Sequence, residues 1–393
     1  MNILYVPTKD PRLKNIGSEQ RTHLLWESLK RHGRVYTFIL DFNLETGFLK
    51  ENGEHPIYIA RPKIRNRLFW RVVNRVLCKL SLLNVYRRKI IQIDNPNNVF
   101  KGVHFDVVVS RYVYPLSDFA YWEIAPLLID IDDHPFQVYH TVYETQLHYG
   151  LKTLGKYLTK FQTRHIINKS VGGWIANKEQ LNLCGNNYGF LPNIPTMPSD
   201  GYKPNCNERN NLFTVGVMRY GPNKEGVTRF LTQVWPSFHL KYPEVQYYIA
   251  GKGASEADAE YWNSFEGVKY LGFVENLEAL YEKTLATVVP VYSGGGTCIK
   301  TLESMAYSRP CISTEFGARG LAIDVIEEEK GVVLFDNAES FIKAYEKIQN
   351  QGCRKKIEIQ GRDLISSHYS IAIFNKAVDE VLVQLRYDSL NEK

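Results

Sequence analysis

Short apolar runs alternate with amphipathic stretches along most of the chain. In the first half, Ile3–Val6, Val35–Leu40, Val107–Ser110, Leu127–Asp130 and Gly173–Ala176 are mostly continuous rather than alternating. Such runs predict strands buried on both faces of a parallel sheet. A helical pattern runs from Ser18 to His32, with Ser18 placed to cap its start and Gly33 just past its end. The stretch from Phe136 to Ser170 reads as largely helical. A break follows from Leu191 to Gly201, with three prolines, and polar residues continue to Asn211. A second alternation then begins, with strands at Leu212–Val217, Gln246–Ala250, Val268–Leu271, Thr287–Val291, Cys311–Ser313 and Val332–Leu334. Helices fit between them at Pro222–Lys241, Asn276–Lys283 and Ile299–Tyr307, and Ile371–Leu385 reads as an amphipathic helix. Strand–helix alternation on both sides of a linker predicts two doubly wound α/β domains. The expected division is 1–197, 208–365 and a helical segment 366–393.

Composition narrows this picture. The 393 residues are 44% hydrophobic and 23% charged, which excludes a disordered chain, a fibre and a disulfide-stapled mini-protein. Apolar stretches such as Leu285–Tyr292 fall far short of the ~20 residues that span a bilayer. The first strand-like run starts at Ile3 without a basic lead-in, so no secretory leader is expected. The six cysteines form no CxxC pair, which fits a reduced, cytoplasmic protein without structural zinc.

The net charge of +6 is local in origin. Arg61 to Lys89 holds ten Lys or Arg and no acidic residue, so the remainder of the chain is net acidic. Within it, apolar residues recur at helical spacing over 66–84, and Arg67, Arg71, Arg75 and Lys79 recur every four residues on another face. Two placements fit this helix: on an anionic membrane surface, or packed on the protein's own core with a solvated cationic face. No reader motif for nucleic acid accompanies the patch.

Several segments carry candidate chemistry. Ser293 to Ala306 follows an apolar strand and opens a helix; Gly294, Gly295 and Gly296 permit close backbone approach, and the helix start attracts an anion. Thr297, Cys298 and Ile299 lead into that helix, Lys300 adds a charge in its first turn, and Glu303 suits ribose hydroxyls better than phosphate. The segment lacks both the Walker ending and the dinucleotide fingerprint. Arg219 and Lys224 lie where a strand-to-helix loop would neutralise a diphosphate. Gly251-Lys252-Gly253 and Gly272-Phe273-Val274 each follow a strand, as do loops that offer main-chain groups to a base. In the first half, Gly17 opens the first helix, and Asp130, Asp132, Asp133 and His134 gather at a strand end. Carboxylates and an imidazole there can position hydroxyls or stabilise a developing cation. Asp130-x-Asp132 also has the form of a metal pair, but the surrounding signals favour a metal-independent site. Ordinary turns, capped helices and solvated strand ends account for each segment taken singly.

Taken in order, Val215-Gly216-x-Met218-x-Tyr220-x-Pro222-Asn223, Gly251-x-Gly253, Leu271-Gly272-Phe273-Val274, Gly294-Gly295-Gly296-Thr297-x-x-Lys300-x-Leu302-Glu303-x-Met305-Ala306 and Thr314-x-x-Gly317-x-x-Gly320-Leu321 resemble the retaining glycosyltransferases of family 4. The resemblance implies the GT-B architecture, two Rossmann-like domains facing across a cleft. It implies a nucleotide-diphosphate-sugar substrate and no further cofactor. Glu303 would then hold the ribose, and main chain at Phe273 and Val274 would meet the base. Gly253, Arg219, Lys224 and Gly295 through Ile299 would touch the donor, with Gly17 facing it from the other domain. Lys300, Asp132, Asp133 and His134 would serve catalysis. The acceptor implied is a glycan or lipid-linked glycan of a cell-envelope polysaccharide, reached from the cytoplasm with peripheral contact to the inner face of the plasma membrane through Arg67, Arg71, Arg75 and Lys79. Departures from the pattern are Gly295 where many members carry Glu, Val217 and Cys298 where many carry Arg, and Asp132 where many carry His. A nucleotide-sugar epimerase or a non-catalytic nucleotide-sugar-binding protein would share these features.

Overall fold

A computed structural model describes residues 1–14, 17–41, 43, 47–64, 69, 72, 91–132, 134–135, 149–185, 187–200, 202, 210–294, 297–321 and 323–391. The chain divides into two compact units, one formed by Met1–Pro192 with Phe374–Lys393, the other by Asn193–Ile373.

The first unit is built on an eight-stranded sheet. Its strands are β1 (Asn2–Val6), β2 (Arg34–Leu40), β3 (Phe48–Glu51), β4 (Ile57–Ala60), β7 (Val107–Arg111), β8 (Leu127–Ile131), β9 (Gly172–Ile175) and β10 (Tyr188–Phe190); β5 (Lys63–Ile64) and β6 (Ile91–Gln92) pair separately. The order is β10-β9-β8-β7-β1-β2-β4-β3, parallel throughout except that β3 runs antiparallel to β4. Strand order therefore reverses between β1 and β7, a switch point where open α/β sheets leave a crevice outside the strands' carboxyl ends. The apolar runs read from sequence are the central strands, and residues such as Ile3, Leu4, Val108 and Ile129 are wholly buried. The strands not expected are short, and β3 is exposed along its length, so no apolar run marked it. Helix α1 (Gly17–Lys30) follows β1, and α2 (Tyr149–Ile167) follows β8.

The second unit repeats the plan. Strands β11 (Leu212–Val215), β12 (Tyr247–Ala250), β13 (Val268–Gly272), β14 (Ala286–Val289), β15 (Cys311–Ser313) and β16 (Val332–Leu334) form one parallel sheet in the order β13-β12-β11-β14-β15-β16. Here the reversal falls between β11 and β14. The single helix expected over Pro222–Lys241 is two, α3 (Gly221–Gln233) and α4 (Trp235–Lys241). Pro236 explains the division: it has no N–H, and its ring would strike a carbonyl inside a continuous helix, so the chain restarts with proline in the first turn. Helix α5 (Glu256–Asn263) is held by a Ser255–Asp258 capping box. Asn276 caps α6 (Leu277–Lys283), and α7 (Ile299–Ala306) follows β14. Phe230, Trp235, Phe238, Tyr247, Phe341 and Tyr345 fill the core between sheet and helices.

Sequence set 366–393 apart as a helical segment. In the structure α8 (Ile371–Asn391) leaves the second unit after Ile373, and its remaining residues pack into the first. Phe374, Val378 and Leu382 are wholly buried, and Trp174 Nε1 donates to the Ala377 carbonyl at 3.0 Å. The basic helix expected over 66–84, with Arg67, Arg71, Arg75 and Lys79, lies outside the described residues apart from Phe69 and Val72, both exposed. Among the described residues no helix is long and apolar enough to cross a membrane.

Candidate functional site

In the second unit the expected residues gather at the sheet's reversal. The turn after β11 places Gly216 beside the first turn of α7. Lys300 Nζ donates to Asn223 Oδ1 at 2.5 Å, and Asn223 Nδ2 donates to the Val217 carbonyl at 2.9 Å. One asparagine thus ties the β11 turn to the lysine. Gly216 is needed there because a methyl group on its Cα would come within 2.9 Å of Lys300 Nζ. Gly226 matters for another reason. A Cβ there would lie 1.9 Å from the Pro290 carbonyl oxygen, so only glycine lets α3 sit this close to the chain leaving β14. Gly216→Ala is therefore expected to fold, because a lysine tip can move aside, yet to bind an anionic ligand about tenfold less tightly. Calorimetry paired with a thermal melt checks this; a lower melting temperature with unchanged affinity would contradict it.

Around the start of α7 several polar and charged groups converge. The N-cap residue Cys298 is buried and its side chain caps no first-turn N–H. Thr297 Oγ1 lies 2.9 Å from the point a Cβ on Gly320 would occupy, and Arg319 Nη2 lies 3.7 Å from the equivalent point on Gly294. Arg319 stacks on Phe316 at 4.1 Å and donates to the Phe316 carbonyl at 2.7 Å, which fixes its guanidinium. Burial holds the Lys300 ammonium below the usual lysine range; Cys298 and Glu303 oppose that shift, and Arg319 adds to it. Two cations close enough to repel each other at a helix N-terminus form a site that gains by taking up an anion.

One turn along α7, Glu303 faces a different space. Its Oε1 accepts a hydrogen bond from Thr196 Oγ1 at 2.8 Å. Burial raises its carboxyl above the usual range, while Thr196 and Lys300 pull it back. It borders a cavity of about 270 Å³, whose wall includes Thr196, Asn276, Leu277, Tyr281 and Tyr307. That is near the lower end, roughly 300 Å³, of small-molecule sites. Tyr281 and Tyr307 stack at 4.1 Å with 2° between ring planes, a rigid wall behind the carboxylate. Glu278, on the same wall, takes hydrogen bonds from Ser199 N and Oγ at 2.5 and 2.9 Å.

Other expected donor residues lie elsewhere. Lys224 is exposed and pairs with Asp258 at 2.7 Å on the capped start of α5, so its charge is committed there, whereas Lys300 lies against Gly216 and Asn223. Arg219 packs beside Gly253, whose φ of +95° strains any side chain and where a Cβ would come within a tight 3.1 Å of Arg219 N. The ring of Phe273 is 71% exposed, with Lys252 Nζ 5.8 Å from its centre, while Val274 packs near Tyr281; the cavity wall begins only at Glu275. Ile299 is half-buried as the first residue of α7. Gly295, Gly296 and Asp133 lie outside the described residues. Asn223 and Arg319 gained no role from sequence, although both stand inside the quoted segments. Neither residue type announces its partner, which only the strand order brings near.

In the first unit the carboxylates at the end of β8 divide by role. Asp130 is wholly buried between two arginines: Arg21 Nη2 reaches Oδ1 at 2.5 Å, and Arg111 Nη1 reaches Oδ2 at 2.9 Å. Both of its oxygens are thus engaged by arginine. Among the described residues no group of three or more His, Cys, Asp or Glu is placed to hold a metal ion. Arg111, at the end of β7 and thus at the switch point, also donates to Asp132 Oδ2 at 2.9 Å and to Thr22 Oγ1 at 3.1 Å. Tyr112 donates its hydroxyl to Asp132 Oδ2 at 3.3 Å and lays its ring 4.2 Å from the Arg111 guanidinium. It does so with φ at +69°, a left-handed conformation that costs a tyrosine about 1–2 kcal/mol. Asp132, half-buried, is thereby held in one orientation. Gly17, half-buried, opens α1, the helix that carries Arg21 to Asp130.

His134 is the exception in this cluster. It is 5% exposed, its Nδ1 has no hydrogen-bond partner among the described residues, and burial lowers its pKa to about 4. It is neutral and packed inside, not poised to exchange a proton with a ligand. A histidine buried neutral binds fewer protons folded than unfolded, so stability is full above about pH 6.5 and falls as pH drops toward 4. Unfolding of the first unit by urea is expected to lose about 2 kcal/mol between pH 7 and 5, and His134→Phe is expected to remove most of that slope. An unchanged slope in the variant would contradict the assignment.

Comparison with known proteins places this geometry. Residues 209–351 match the family model described as "Glycosyl transferases group 1". No curated protein matches the chain by sequence. Among solved structures, the α,α-trehalose 6-phosphate synthase of Burkholderia multivorans covers 100% of this chain with 98% of its own, at 10% identity and a TM-score of 0.66. Anabaena Alr3699/HepE, solved in complex with UDP, covers 98% of this chain with 100% of its own, at 11% identity and a TM-score of 0.60. For TarM, a protein of S. aureus, the identity is 14% and the TM-score 0.54, over 77% of this chain; the chain spans 58% of TarM's length. At these identities the likeness is one of fold, and the fold is GT-B.

Proposed function

We propose that this GT-B chain, whose residues 209–351 match the group 1 glycosyl transferases, moves a sugar from a nucleotide-diphosphate donor to a hydroxyl of a glycan or lipid-linked glycan, with retention. The observation that carries the reading is on α7. Lys300 and Glu303 stand one turn apart, the lysine at the anion site and the glutamate on the cavity. A nucleoside diphosphate needs that order of contacts: hydroxyl acceptor for ribose, then fixed cations for the diphosphate. The UDP held by HepE, a neighbour in fold, favours the same class of leaving group.

In this reading the bond between the sugar's anomeric carbon and the β-phosphate oxygen breaks. The acceptor oxygen bonds to that carbon from the same face, and its proton passes to the departing phosphate. Lys300, Arg319 and the α7 N-terminus stabilise the negative charge that develops on the diphosphate. These groups supply positive charge without a metal ion. Asp132, oriented by Arg111 and Tyr112, is suited to accept a hydrogen bond from a sugar hydroxyl. Synthesis of a cell-envelope polysaccharide on the cytoplasmic side is the setting this chemistry fits.

A panel of nucleotide sugars, read by thermal stabilisation and slow donor hydrolysis, tests the reading. One donor is expected to raise the melting temperature, and Glu303→Ala to weaken that donor's binding by about tenfold to a hundredfold, the loss of hydrogen bonds to a charged group. Absence of stabilisation by any nucleotide sugar, or equal binding by the variant, would sink it.

A further inference from the structure

The proline-rich break read from sequence begins at Leu191, and from Asn193 onward it belongs to the second unit. Asn193, Ile194 and Pro195 are buried, and Thr196 follows them exposed. Proline fixes its own φ and restricts the residue before it, so Pro195 and Pro198 stiffen the chain from Ile194 to Pro198. Further contacts pin this segment to the cavity wall. Ser199 gives its N–H and its hydroxyl to Glu278 of α6 at 2.5 and 2.9 Å. Tyr202 donates its hydroxyl to the Tyr307 carbonyl at 3.0 Å, and its ring meets the Tyr307 ring edge-on at 5.2 Å.

Thr196 therefore sits on a stiff strap anchored at both sides, and its hydroxyl donates to Glu303 Oε1 at 2.8 Å. Burial raises the Glu303 carboxyl, and Thr196 opposes that rise through its side chain and its main chain, which favours the ionised acceptor. An ionised carboxylate has about four acceptor sites, so one hydrogen bond from Thr196 leaves sites for hydroxyls in the cavity. What the bond removes is rotamer freedom. A glutamate clamped at one oxygen meets its ligand already oriented, and the ordering cost is not charged against binding. We propose that Thr196 is a positioning residue, clamping Glu303 in the orientation that receives the ribose hydroxyls of the donor, and so sets the cavity's preference for ribonucleotides. This rests on the reading of Glu303 as the ribose partner and goes beyond it in naming what aims the carboxylate. Such a clamp acts only on ligands that carry the hydroxyls, whereas a purely structural contact would affect all ligands alike.

Calorimetry of the full chain with UDP, GDP, ADP and CDP, and with their 2′,3′-dideoxy counterparts, tests it. At least one ribonucleotide is expected to bind about tenfold or more tightly than its dideoxy form, the worth of hydrogen bonds to a charged acceptor. Thr196→Val replaces the hydroxyl of an exposed residue by a methyl group, so folding is not at risk. It is expected to cut that ratio about fivefold by weakening the ribonucleotide alone, with dideoxynucleotide affinity and the ligand-free melting temperature unchanged. Thr196→Ser is expected to restore the ratio. A ratio kept by Thr196→Val but removed by Glu303→Ala would overturn the proposal and leave the ribose role of Glu303 standing. Equal weakening of ribonucleotide and dideoxynucleotide would overturn it too, as would tighter ribonucleotide binding by Thr196→Val, the sign of a threonine that competes with ribose. No binding by any of the four diphosphates, or no ribose preference in the wild type, would overturn the proposal together with the ribose role of Glu303.

Discussion

Lys300→Met is expected to slow donor turnover by about 10²–10³-fold, the loss that follows removal of one group aimed at developing negative charge. Methionine keeps most of the volume packed against Gly216, so the melting temperature should change little. The effect is large because the ammonium is desolvated and already fixed by Asn223 at 2.5 Å; no reorganisation is needed when the diphosphate departs. Lys224 provides the internal control. Its ammonium is held by Asp258 on the protein surface, so Lys224→Ala should alter turnover by less than about threefold. Single-turnover hydrolysis of the donor found by thermal screening reads both variants. Similar effects at the two positions would refute the placement of the diphosphate at α7.

The second large effect concerns stability. Arg111→Ala is expected to destabilise the first unit by about 3–5 kcal/mol, because it strips one partner from a buried carboxylate and leaves a void at a wholly buried site. Arg21 keeps its two contacts to Asp130, but Asp132 and Thr22 lose theirs. Arg111→Lys should recover only part of the loss, since one ammonium cannot replace a guanidinium serving four partners. Asp132→Asn, at a half-buried position, should cost at most about 1 kcal/mol in stability while reducing turnover if Asp132 orients a sugar hydroxyl. Thermal unfolding beside donor hydrolysis separates the two. A melting temperature for Arg111→Ala close to that of the wild type would show that the network does not hold the sheet's end together.

The central strands were legible because each is a continuous apolar run, and buried parallel strands allow little else. The strand and helix on either side of the second unit's glycine segment were legible for a related reason: an apolar run, then glycines, then a lysine and a glutamate one turn apart mark a strand followed by a helix start. Position in a chain does not reveal which charges meet. Lys224 and Lys300 look alike in sequence, yet one closes on Asp258 and the other on Asn223. Asp130 and Asp132 differ by two residues and so share a side of the strand, yet the first lies inside β8, buried by two arginines, and the second lies just past the strand's end and stays half open. His134 has the residue type of a proton carrier, but its environment keeps it neutral. Arg111 is a single charge at the end of an apolar strand, and its importance emerges only once β7 pairs with β1 and β8. Arg319 likewise follows a glycine turn and gains meaning from the fold of β15 back beside α7.

The route taken by α8 has a consequence for biosynthesis. Phe374, Val378 and Leu382 fill the first unit, and Asp379 pairs with Arg31 and His32 at 2.9 and 2.7 Å. On the ribosome these residues emerge after the whole of the second unit has been made. The first unit's sheet is thus completed only after the second unit has been made, and until then part of its apolar surface stays uncovered.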